Sequence, residues 1–206
     1  MPVNLKETEV IRSVLGERIG WRWPVVLLKA MSKRRASLAG TRWSNIRGPE
    51  ADFVRRLCIA PALYRVLEAR IGREEASGAM NEILVSIGCR EQWDHLNTMD
   101  ASALDAMERL RAFNELMDRE GTPRFNRREY VRQDESVCHF RIARCIFSDF
   151  FNEAGTPDLT KAFCEVDRRF FPEAFPDLVF HRGDSWENTI AYGREHCEFV
   201  FERRTE

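Results

Sequence analysis

The chain is poor in the signals that usually narrow a reading. It has no continuous apolar run beside a small-residue cleavage site, and Glu7 and Glu9 interrupt its N-terminus, so neither a signal peptide nor a spanning helix is expected. A formal net charge of −1 leaves the whole molecule without an electrostatic footprint for nucleic acid or an acidic membrane, and neither is expected as a partner. The six cysteines include no C-x-x-C pair and the four histidines no H-x-x-x-H pair, which argues against a short zinc hairpin or a redox motif. Free thiols in a reducing, cytoplasmic setting are the expectation. There is no internal repeat and no low-complexity tract. What remains is one domain over residues 1–206, long enough to bury a real core, whose easiest partner is a small charged metabolite.

Within that domain the composition shifts along the chain. Residues 1–60 form a basic, tryptophan-bearing arm: between Arg18 and Gly48 there are eight cations and no acid, with Trp21, Trp23 and Trp43 among them. Cations interleaved with tryptophan suit a membrane surface or RNA. They equally suit a solvated helix face whose tryptophans pack on the body or on a second copy, and this reading is preferred, with a homo-oligomer through the arm as its corollary. Residues 61–120 are helical. Ala62, Leu63, Val66 and Leu67 recur at helical spacing, and a second set from Ala76 to Ile87 is expected to stop at Gly88. A third helix is expected from near Ser102, its hydroxyl capping Asp105, to Gly121, followed by a linker at 121–128.

The part from 130 to 206 changes period. Val137 to Cys145 alternates as a half-buried strand should, with Cys138, Phe140 and Ile142 on one face and His139 and Arg141 on the other. Residues 146–154 and 159–171 read as helices, and 178–182 and 196–203 as two further strands. The fold class expected is α+β, with N-terminal helices packed on a small antiparallel sheet formed mainly by the C-terminal third. That third also holds four of the six cysteines and eleven of the fourteen phenylalanines, interleaved with Asp167, His181, Arg182, His196 and Glu198. A dry phenylalanine wall is the setting in which thiol, carboxylate and imidazole proton affinities shift, so the chemistry is expected there.

The ordered run Cys145, Gly155, Cys164-Glu165-Val166-Asp167, Phe180-His181-Arg182, Asn188-Thr189-Ile190-Ala191-Tyr192-Gly193 and Cys197-Glu198-Phe199-Val200-Phe201 resembles the L-2-amino-thiazoline-4-carboxylic acid hydrolase family. The likeness runs from about residue 136 to 203, with a weaker stretch over 63–87. Two departures stand out: Glu198 replaces an aspartate, and six residues separate Arg182 from Thr189 where fewer are expected. The resemblance implies a hydrolase that opens a small cyclic amidine or amide bearing a carboxylate, with no organic cofactor and no metal. Such a carbon becomes attackable when a carboxylate holds the amidinium form and a cation fixes the substrate carboxylate. Asp167 or Glu198 suits the first task and Arg182 the second. Cys197, beside His196, is the first candidate nucleophile and Cys164, one turn before Asp167, the second; His181 or His196 would otherwise serve a bound water as base. Thr189 and Cys145 complete the expected substrate contacts.

Each residue also has a plainer role. Cys197 can be a buried small hydrophobe, Asp167 can pair with Arg168 or Arg141, and Arg182 can be a structural ion pair. Cys145, Cys164, Asp167 and Cys197, with His196, could surround zinc, although spacings of nineteen and thirty-three residues lack a local ligand pair. Outside enzymes, a small-carboxylate binding module built on Arg182, or an interaction protein using the basic arm, fits the same residues.

Overall fold

The computed structural model describes residues 5–204. Their contacts group into two compact units, each discontinuous in sequence. The first comprises residues 5–87 and 150–163; the second comprises residues 88–149 and 164–204.

In the first unit, α1 (Leu5–Ile19), α2 (Trp23–Lys33) and α3 (Pro49–Leu57) are joined by segments containing short 3-10 turns, and α3 is separated from α4 (Ile59–Ile71) by Cys58 alone. Helix α4 buries Ala62, Leu63, Val66 and Leu67, the stripe whose three- and four-residue spacing marks it as core-facing. The arm's three tryptophans part company. Trp43 is fully buried, its ring edge-on to Phe150 with centroids 5.8 Å apart, and its Nε1 donates to Glu50 Oε1 at 3.3 Å. Trp23 is partly buried, whereas Trp21 is 80% exposed.

Helix α5 (Arg73–Leu96) does not stop at Gly88 as the sequence suggested; it runs 24 residues and contributes to both units. Gly88 is instead a point of close approach, since a Cβ there would lie 2.6 Å from Val166 Cγ2. In the second unit α6 (Ala106–Arg119) starts later than expected. Asp105, not Ser102, is its N-cap, accepting from the amides of Met107 and Glu108 while the Glu108 carboxylate accepts from the Asp105 amide, a reciprocal capping box.

The predicted small antiparallel sheet is present in the second unit, with one strand more than the sequence suggested. β1 (Arg127–Gln133), β2 (Val137–Arg144), β3 (Leu178–His181) and β4 (Cys197–Arg203) form the order β1-β2-β4-β3, every pair antiparallel. β1 begins inside the segment read as a linker. Registers Phe140↔Phe199 and Phe180↔Phe201 place the aromatic residues of three strands on one face, with Phe140 and Phe199 stacked at 4.9 Å and Phe180 and Phe201 at 4.7 Å. Cys138, Ile142 and Cys197 share that face, which packs with Phe113 of α6 and with Phe170 and Phe171 of α8 (Thr160–Ala174) in one core. α7 (Ile146–Glu153) ends where Gly155 takes a positive φ of 68°.

Candidate active site

The inward face of β3 continues past its last paired residue. Leu178, Phe180 and Arg182 alternate inward, and Arg182 enters the core at 1% exposure. Its guanidinium lies over Phe199 at 4.2 Å and over Trp186 at 4.8 Å. Nη2 donates to Asp167 Oδ2 at 2.8 Å and Nη1 to the Glu198 carbonyl at 3.3 Å. Asn188 Nδ2 donates to the Arg182 carbonyl at 2.8 Å, fixing the backbone behind it. Of the two paired groups the carboxylate is the reachable one, at 19% side-chain exposure against 1%.

Asp167 stands on α8 where one more turn of helix reaches back to Cys164. Burial pushes its carboxyl up to about 6, against the opposing pull of Arg182 and of a hydrogen bond from Gln92. With its amide spent on Asp167, Gln92 keeps a buried Oε1 without a partner; Arg182 Nε is likewise a buried donor without one. One unmatched acceptor and one unmatched donor therefore flank a carboxylate that titrates near neutrality.

Two thiols, Cys164 and Cys197, border this group, and a third, Cys145, lies near them. Cys164 Sγ is 3.7 Å from Thr189 Oγ1, and Thr189 is completely buried. The Ile190 amide donates to Cys197 Sγ at 3.3 Å. Desolvation raises all three: Cys145 to about 12, Cys164 to about 11, and Cys197 above its ordinary value even though the Ile190 amide and Arg182 favour its thiolate. At neutral pH these sulfurs are thiols, not thiolates.

The remaining predicted residues lie elsewhere. Glu198 is on the opposite face of β4, where its carboxylate accepts from His139 Nε2 at 2.6 Å, Arg141 Nε at 2.8 Å and His196 Nε2 at 2.8 Å. Burial alone would raise Glu198, but these hydrogen bonds together outweigh it and hold the carboxyl below its ordinary value. His196 therefore serves Glu198 and does not face Cys197, because neighbours along a strand point to opposite faces. His181 is on that outer face too, 3.5 Å from Glu202. Asp167 pairs with Arg182, not with Arg168 or Arg141: Arg168 lies 3.8 Å from Glu165, and Arg141 belongs to Glu198. Among the described residues no three His, Cys, Asp or Glu side chains are arranged to hold a metal ion, so the zinc reading finds no ligand set.

Gln92 and Trp186 were not anticipated. Gln92 lies one helical turn beyond Gly88, within the stretch of α5 that a glycine stop would have deleted. Trp186 sits in the loop between Arg182 and Thr189. A cleft of about 210 Å³ in the first unit is lined by Tyr64, Arg65, Glu68, Arg73 and residues 155–159, none of them a predicted site residue. Its charged groups are already engaged, Arg73 with Asp158 at 3.2 Å and Glu68 with the Tyr64 hydroxyl at 3.1 Å.

The family profile described as L-2-amino-thiazoline-4-carboxylic acid hydrolase matches residues 53–201, which is most of the chain. This chain belongs to that family. All six residues of the inward cluster, Cys145, Cys164, Asp167, Arg182, Thr189 and Cys197, fall inside the span matched to the hydrolase family, as do Gln92 and Trp186. The basic helix α2 lies before it. No curated protein matches the chain. Among solved structures, an Fe(II) unliganded H-NOX protein from K. algicida aligns with 97% of this chain and 95% of its own at 10% identity and a TM-score of 0.41, a likeness too slight to carry an argument.

Proposed function

We propose that this family member is a hydrolase that opens a small cyclic amidine or amide carrying a carboxylate, such as 2-amino-thiazoline-4-carboxylate, by attack of water. The observation that carries the reading is the buried Asp167–Arg182 pair, flanked by the unmatched Gln92 Oε1 and Arg182 Nε within the matched span. An amidinium offers N–H donors to the reachable Asp167 and, once the side chains around the pair part to admit it, to Gln92 Oε1, while the substrate carboxylate then offers an acceptor to Arg182 Nε, so one ligand would satisfy both orphaned atoms.

In this mechanism water adds to the amidine carbon and forms the C–O bond while Asp167 takes its proton. The tetrahedral adduct then breaks its bond to a ring heteroatom, and Asp167 returns the proton to that leaving atom. A carboxyl with a pKa of about 6 suits both halves of the cycle near neutral pH. A thiol nucleophile in this cluster would first have to ionise against burial, which makes Cys164 and Cys197 walls of the site rather than its attacking atoms. Arg182 contributes position and charge, and Thr189 and Cys145 contribute shape.

A cytoplasmic location goes with this reading, since the six cysteines are free and suit a reducing compartment. Among the described residues no helix is long and apolar enough to cross a membrane. The test is a substrate panel: carboxylated thiazolines and imidazolines against the same rings without the carboxylate. Turnover of the carboxylated rings, lost without the carboxylate, is expected. Tight binding of the carboxylated rings without any turnover would mean a binding module instead.

A further inference from the structure

The arm leaves an apolar stripe uncovered. Trp21 is 80% exposed, Val25 60% and Leu28 69%, and their spacing of four and three residues lines them along one side of α2 and the turn before it. The other side of α2 buries Val26, Leu27 and Ala30, so the helix is already docked and the exposed stripe is surplus to the core. Cations border it: the Arg22 guanidinium lies 5.6 Å from the Trp21 ring centre, and Lys29 and Lys33 are exposed on the same helix. Arg18 and Arg42, by contrast, are engaged by Glu75, Glu82 and Glu153.

We propose that this stripe seats on the surface of an anionic lipid bilayer. Two quantities select that occupant over a second copy of the chain. Three exposed side chains present on the order of 400 Å² of apolar surface, about half of the roughly 800 Å² per partner that a specific dimer buries. A two-fold contact through α2 would also bring the Arg22, Lys29 and Lys33 of one copy close to those of the other, with no acid between Arg18 and Gly48 to offset them. An anionic headgroup layer satisfies both conditions, because a tryptophan and two aliphatic side chains are enough to insert at an interface and the cations then meet negative charge. The near-zero charge of the whole chain hid this, since the cations run without an acid from Arg18 to Arg47 while the acids lie elsewhere in the sequence.

The test is co-sedimentation of the full chain with phosphatidylcholine vesicles, with and without phosphatidylglycerol, alongside light scattering of the protein alone. Binding is expected only with phosphatidylglycerol, weakened about tenfold or more in Trp21→Glu and in Leu28→Glu and by high salt. Both positions are exposed, so the variants keep the fold. Equal sedimentation with and without phosphatidylglycerol overturns the proposal. So does a dimer in solution that Trp21→Glu dissociates without any vesicle binding by the wild type.

Discussion

Arg182 Nη2 and Asp167 Oδ2 lie 2.8 Å apart, with the cation sealed at 1% exposure and the acid left reachable at 19%. That asymmetry gives the two ends separate tasks: the guanidinium cannot leave without exposing a buried charge, while the carboxylate can meet a ligand. Replacing one partner of such a pair costs more than the pair contributes. Arg182→Met is expected to destabilise the fold by about 3 kcal/mol at neutral pH. The loss should shrink toward pH 5 as the stranded Asp167 takes up a proton, and urea unfolding at the two pH values measures it.

The two acids of β4 and α8 should leave opposite marks on stability. Asp167 has a folded pKa of about 6, above the ordinary value of about 3.9. Between those values the folded state holds more protons than the unfolded one, so this group's contribution falls as pH rises from about 4 to about 6 and is level above. Glu198 is held below its ordinary value, so its contribution is complete above about pH 4.3 and is lost as pH falls further. Melting temperature against pH for Asp167→Asn and Glu198→Gln should show each variant losing its own slope and keeping the other.

The inward thiols should be inert in the native protein. With Cys164 at about 11, only roughly one part in ten thousand is thiolate at pH 7. Iodoacetamide should therefore modify Cys145, Cys164 and Cys197 far more slowly than free cysteine, and rapidly once the chain is unfolded, as followed by mass spectrometry. Fast native alkylation of Cys197 that a carboxylated thiazoline blocks would restore the thiol as nucleophile.

Much of this residue cluster was legible in the sequence, and what was not has physical causes. Period-two alternation placed Cys138, Phe140 and Ile142 on one face and grouped Cys197 with Phe199 and Phe201. The same rule forbids His196 from serving Cys197, and adjacency in the chain obscured it. β1 was missed because its seven residues are almost all exposed, which leaves no buried face to impose a pattern. Glycine at 88 read as a stop because its reason, a missing side chain opposite Val166, belongs to a contact 78 positions away. Gln92 was lost with it. The Asp167–Arg182 pairing joins a helix to a strand end, a choice among several arginines that only the fold decides.

Gly88 supplies a check on that packing. Gly88→Ala would place its Cβ 2.6 Å from Val166 Cγ2, so the Val166 side chain or one of the two helices must shift. A loss of about 1–3 kcal/mol is expected, recovered in large part by Val166→Ala in the same chain, with denaturant midpoints as the readout.

The role of Asp167 is tested most directly by the steady-state rate of 2-amino-thiazoline-4-carboxylate hydrolysis by the wild type, Asp167→Asn and Glu198→Gln, all confirmed as folded. A fall of about 10²-fold or more is expected for Asp167→Asn, with little change for Glu198→Gln and a wild-type rate rising through about pH 6. Full activity in Asp167→Asn, or loss confined to Glu198→Gln, would put the chemistry on the other face of the sheet and contradict that role.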